Sequence, residues 1–234
     1  MSEPVTTIVA ALIGAVLGSG GAVLIQYLLT SRSEKIHRRE ILVQRYLFQL
    51  QDALEMLWYR LDNLANRGAR SVMSDEYFEK TTLYVLGRVL AIERIFMLEA
   101  VYPQLEAIYR GLGKCLKQNR FDIKLIDYLK KQKYEFYQYD RFLLAEAVII
   151  HEGDVFRTAT YLEAKRGYEE KEALEKEWLE RAKQVILSFD EEQNRERVKG
   201  LLVTLIAIAK YIENRTGIDS SLTKKSGTML NCTQ

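Results

Sequence analysis

The sequence predicts an all-α protein, one N-terminal transmembrane helix followed by a cytosolic helical bundle, with room for one short β-hairpin near 148–157. Three observations predict it. The run from Val5 to Thr30 carries no charged residue and no histidine, and it is rich in Val, Ile, Leu and Ala. The chain holds only 2 prolines in 234 residues, which favours long uninterrupted helices. After the run, apolar residues recur every three or four positions, the period of a helix with one buried face.

The organisation follows from these. Residues 1–4 form a short extracytoplasmic N-terminus, 5–30 the membrane helix, 31–217 the cytosolic domain and 218–234 a disordered tail. At ~1.5 Å per residue the run reaches roughly 39 Å, against a hydrocarbon core of ~30 Å. A cleaved secretory signal fits poorly. Met1, Ser2, Glu3 and Pro4 supply no basic side chain, and the run is about twice the usual length of a signal core.

Directly after the run come Arg32, Lys35, His37, Arg38 and Arg39, then Arg45. Basic residues this close to a span mark the cytoplasmic side, and anionic headgroups attract them by about 1 kcal/mol each. Arg32, Lys35, Arg38 and Arg39 are the expected headgroup contacts, so the lipid bilayer is the first expected partner. Within the run, Ala11, Gly14, Gly18 and Gly21 form a small-residue stripe on which two membrane helices could close into a homo-oligomer. Simple tolerance of glycine in an unpartnered anchor explains the stripe equally well.

The remaining chain, about 200 residues, is the size of one domain. Val43, Leu47, Leu50, Leu54, Leu57, Leu61 and Leu64 alternate spacings of four and three, a heptad seam. Phe48, Met56, Trp58 and Tyr59 widen the stripe beyond a two-stranded seam, which favours burial in the domain's own core. Ser74, followed by Asp75 and Glu76, predicts a helix start. That helix runs to about Val101 and is stopped by Tyr102-Pro103, and its middle, Leu83–Leu98, is apolar on most sides. Gly87 inside it predicts close packing.

Pro103 is read as the first residue of the next helix, Asn119 as its end and Asp122 as the following cap. An apolar segment, Phe142–Ile150, leads into His151-Glu152-Gly153-Asp154, either a short β-hairpin or a helix–turn–helix. Thr160 and Glu163 match a capping box. A charged helix then reaches Ser188, Asp190 caps a last helix, and Gly217 ends it.

The stretch Thr81–Leu90 followed by Ile92-Glu93-Arg94-Ile95 resembles an uncharacterised bacterial group. Its members pair such a helix with a later segment similar to Ala145–Glu163. The resemblance covers about half of the aqueous domain and rests on apolar spacing. It implies that Leu83–Ile95 and Ala145–Glu163 share one compact helical domain, and it carries no function.

Chemical motifs are sparse. Arg32 and His37 fit the Arg-x4-His pattern of helical ribonuclease domains, in which His moves a proton and Arg meets phosphate charge. A basic membrane flank already explains both residues, so no catalytic residue is assigned. Glu34-x-x-His37 is half of a di-iron motif. His151 lacks the second half, and it also lacks the second His of a zinc signature, so no metal or cofactor is expected. Phosphate-binding and nucleophile-elbow motifs are absent.

Cys115 and Cys232 read as isolated thiols suited to a reducing cytosol. Lys130, Lys131 and Lys133 precede Tyr134, Phe136, Tyr137, Tyr139 and Phe142, but a net charge of +2 gives no strong nucleic-acid signal. The sequence therefore points to a membrane-anchored scaffold, sensor or effector that acts through protein or membrane contacts. A tethered ribonuclease and an oligomeric pore are the rival readings.

Overall fold

The structure, a computed structural model, describes residues 26–27, 30–34, 36–37, 39–67, 74–130, 135–153, 155–174 and 176–224. The chain divides into two compact units, Met1–Ile41 and Leu42–Gln234. In the first, the described residues are helical, and Tyr27 and Ile36 are exposed. Most of the expected span 5–30, including Ala11, Gly14, Gly18 and Gly21, lies outside the described residues. Among the described residues no helix is long and apolar enough to cross a membrane. The folded body begins at Leu42, eleven positions after the expected start at 31.

The second unit is mostly helical with one two-stranded hairpin. A π-helical turn, Val43–Leu47, leads into α1, Phe48–Arg67. The heptad seam faces inward: Leu47, Leu50, Leu54, Leu57, Leu61 and Leu64 are all buried, against the helices Asp75–Leu98 and Arg195–Thr216. Each such side chain contributes about 1.5–3 kcal/mol by leaving water.

Helix α2, Asp75–Leu98, is the central element. Ser74 starts it by accepting the Tyr77 N–H at 3.3 Å, which satisfies one of the orphan donors of the first turn. Residues on nearly all its sides are buried, because it packs on α1, on α6 (Gln138–Glu146) and on α8 (Glu177–Ser188). At Gly87 an added Cβ would lie 2.9 Å from the Val148 side chain and 3.0 Å from the Tyr168 hydroxyl, so this glycine does permit close packing. Leu83–Ile95 and Ala145–Glu163 accordingly meet in one body.

Helix α2 stops at Leu98, three residues early. Ala100 takes a left-handed turn at φ 50, and α3 runs Val101–Ile108. Pro103 is its third residue, where a missing N–H still costs nothing because the first turn has no internal acceptor for it. A further break at Gly111, φ 86, separates α4, Leu112–Gln118. Helix α5, Phe121–Lys130, follows.

The turn after α6 is a hairpin. Strands β1, Ile149–Glu152, and β2, Val155–Thr158, pair antiparallel, with Ile149 opposite Thr158 and Glu152 opposite Val155. An isolated hairpin is marginal in water, so its anchors matter. Glu99 accepts the Phe156 N–H at 3.0 Å, and the same carboxylate receives Arg45 at 3.2 Å and the Tyr46 hydroxyl. Tyr84 donates to the Ala159 carbonyl at 3.1 Å.

Thr160 and Glu163 form the expected capping box at the head of α7, Tyr161–Leu174. The charged helix expected to reach Ser188 is two helices, α7 and α8. Asp190 is not the cap of the last helix; the 3-10 turn Glu192–Asn194 intervenes, and buried Asn194 precedes α9, Arg195–Thr216.

Gly217 closes α9 at φ 75, donating to the Glu213 carbonyl. Residues 218–224 of the expected tail pack on the body, and 225–234 lie outside the described residues. Ile218 and Leu222 are buried, a 3-10 turn covers Ser221–Lys224, and Glu55 of α1 accepts from Ser220 and Ser221. Cys115 is buried and disulfide-bonded, which corrects the expectation of an isolated thiol. Cys232, the only other cysteine, lies outside the described residues.

Candidate functional site

A cleft of about 250 Å³ opens between α2, α7 and α8. Leu83, Leu179, Tyr161 and Tyr168 give it an apolar and aromatic lining. Its position follows from glycine. Gly87 brings α2 against Tyr168, and at Gly167 an added Cβ would lie 2.2 Å from the Ala147 carbonyl, so α7 is pressed onto the end of α6. Tyr168 is buried, and its hydroxyl has no hydrogen-bond partner among the described residues. Burial first, then the neighbouring Tyr84 and Tyr161, raise its pKa well above the ordinary phenol value.

Charged groups ring the cleft. Glu76 and Glu79 come from α2 with Lys80; Lys165, Glu169 and Glu172 come from α7; Lys183 comes from α8. Glu76 and Lys80 bond to each other one turn apart, and that bond is the first cause lowering the Glu76 pKa and raising that of Lys80. Lys183 bonds to Glu180, outside the cleft, at 2.8 Å. Its pKa is raised first by that bond, and burial opposes the rise. The fields of Glu180, Glu79 and Glu172 add to it. No hydrogen bond or ion pair reaches the carboxylates of Glu79, Glu169 and Glu172 among the described residues.

A second titratable group is buried deeper. Glu93 projects from the middle of α2 and accepts the N–H groups of Phe121 and Asp122, the latter at 3.0 Å. It thus caps α5 from another helix, satisfying donors that the helix leaves orphaned. Burial, and secondly the Asp122 carboxylate, push its pKa up to about 8, while the two backbone bonds and Arg120 pull it back.

Arg120 is itself tied to Asp122 at 3.0 Å. The adjoining void, against Phe96, Tyr102 and Asn119, is about 10 Å³, no more than one water would need. Strongly shifted groups often mark function. Here the geometry gives Glu93 a structural task and no room for a substrate.

The residues singled out from sequence lie elsewhere. Arg32 and His37 are exposed on helical backbone in the first unit, as is Arg39. Lys35 and Arg38 lie outside the described residues. His151 is exposed and stacks on Phe156 at 4.6 Å, which explains it without a ligand. Lys130 faces Asp127, Phe136 is buried, and Tyr137 and Tyr139 are exposed; Lys131, Lys133 and Tyr134 lie outside the described residues. No group of three or more His, Cys, Asp or Glu among the described residues is arranged to hold a metal ion.

Sequence reasoning missed both Glu93 and the cleft. Glu93 had a legible signal, a lone carboxylate in a run apolar on most sides, which must find a partner when buried. The cleft had none, because its walls come from segments about 90 residues apart whose pairing no local pattern states. Compared with protein-family models, curated proteins and solved structures, the chain matches none.

Proposed function

We propose that this chain is a single-pass membrane protein, N-terminus out, whose cytoplasmic helical body acts through protein or membrane contacts. The observation that carries the reading is the uncharged run Val5–Thr30, followed by Arg32, Lys35, Arg38 and Arg39. An apolar stretch of that length is stable in lipid and costly in water, and the basic flank favours the anionic cytoplasmic leaflet. The body supports the same role. Its apolar residues form a hydrophobic core, Glu93 and Glu163 serve as helix caps, and a charged cleft opens on its surface.

Alkaline carbonate extraction of membranes tests the anchor. The full chain stays in the membrane pellet, and a chain lacking residues 1–30 moves to the supernatant. Release of the full chain by carbonate contradicts the anchor.

One observation favours a second reading of the orientation. Cys115 is disulfide-bonded, and such bonds persist in oxidising compartments. In that reading the body faces the extracytoplasmic side. Labelling intact cells with a membrane-impermeant maleimide, with and without prior reduction, separates the two. A cytoplasmic body stays unlabelled in both cases, whereas an external one is labelled after reduction.

A further inference from the structure

We propose that the cleft between α2, α7 and α8 is a binding site for a linear organic dication of the alkyl-diamine class. The proposal concerns only the second unit and stands whether or not the anchor does.

The charge around the cleft does not close. Lys80 is used by Glu76, and Lys183 by Glu180, which leaves Glu79, Glu169 and Glu172 facing the opening with Lys165 as the one cation not engaged in a bond among the described residues. Glu79 and Glu172 are half-buried, so their carboxylates forgo part of their hydration. A carboxylate so placed is stabilised by a cation that enters the cleft. An inorganic ion would satisfy that charge, but it would leave the rest of the lining wet.

The rest of the lining is alkyl and aromatic. Leu83 and Leu179 present apolar surface, and Tyr161 and Tyr168 add ring faces and edges. Aromatic faces attract ammonium groups, and an alkyl stem gains by leaving water against Leu and Tyr carbons. The acids also fall into two sets. Glu79 comes from the α2 wall, whereas Glu169 and Glu172 come from the α7 wall. Glu169 and Glu172 are three residues apart on α7, a separation of about 4.5 Å along the axis. Two acidic sets with an apolar floor suit a ligand with a cation at each end and methylenes between. At about 250 Å³ the opening lies just under the ~300–1,000 Å³ of sites for drug-sized molecules, so the ligand is small.

The test is calorimetric titration of the full chain in detergent micelles with 1,4-diaminobutane at low ionic strength, beside n-butylamine, which has the same stem and one charge. Saturable one-to-one binding is expected for the diamine, at least tenfold tighter than for the monoamine. Glu79→Gln combined with Glu172→Gln weakens it at least tenfold. Lys165→Gln removes the competing cation and tightens it severalfold, an opposite sign that loss of folding cannot imitate. Thermal melts of each variant accompany the titrations. The proposal is overturned by absence of saturable heat up to about 10 mM, the range of weak association. Equal affinity for the two amines, an unchanged affinity in the double variant, or no tightening in Lys165→Gln overturns it equally.

Discussion

Glu93 carries the most pH-sensitive contact in the body. Its pKa is raised from 4.5 to about 8, so between those values the unfolded chain releases this proton while the folded chain keeps it. Fewer protons on the unfolded state mean that stability falls as pH climbs through that window and levels off above it. The loss amounts to several kcal/mol, on the order of one kcal/mol or more per pH unit. Glu93→Gln mimics the protonated acid and removes the dependence. Urea denaturation should find the two proteins similar near pH 5 and the variant more stable near pH 9. If the wild type is flat across the window and the variant weaker throughout, the two N–H donors hold the carboxylate ionised.

Glycines give a second contrast at this scale. At Gly113 an added Cβ would lie 1.9 Å from the Tyr102 carbonyl, so Gly113→Ala forces α3 and α4 apart and costs more than about 2 kcal/mol. Gly200 sits within α9 with nothing within 4 Å of that position, so Gly200→Ala stabilises by about 0.5–1 kcal/mol. Melting temperatures read both, and the two shifts should have opposite signs.

Among the elements, α1 has two candidate tasks, and one substitution separates them. Leu54 is 1% exposed, against α2 and α9. Leu54→Asp buries an unpaired carboxylate, which costs several kcal/mol against a typical ~5–15 kcal/mol of total stability, so the body should unfold. Gly14→Ile with Gly18→Ile should leave the melt unchanged and weaken only crosslinking in the membrane. A well-folded monomer from Leu54→Asp would make the seam an interface.

The same element shows what the sequence discloses. The period of α1 was legible because two packing partners reward one continuous leucine stripe. Ser74, Thr160–Glu163 and Gly217 were legible because their bonds are local. The break between α7 and α8 was not, since no proline or glycine marks it, whereas the break after α2 was read from Pro103 and placed three residues late. Helix α5 is capped by Glu93, 28 residues upstream, a long-range solution that hides behind the plausible local cap at Asp122. The hairpin was legible as a turn, and its strands are held by long-range bonds that no local pattern states, from Glu99 just after α2 and from Tyr84 on it.

For the whole molecule, composition and core define the constraint. A net charge of +2 offers no general attraction to polyanions, and Arg32, Lys35, Arg38 and Arg39 cluster just after residue 30. The body from Leu42 onward has a hydrophobic core of its own. A run so apolar requires lipid or a partner to cover it. The proposed anchor is therefore tested by where the body lies relative to the membrane. The most direct measurement is a pair of reporters fused after Gln234, one active only in the cytoplasm and one only beyond the membrane. Activity of the cytoplasmic reporter alone is the predicted result. Activity of the external reporter alone contradicts the orientation, and a fully soluble, active cytoplasmic fusion contradicts the anchor itself.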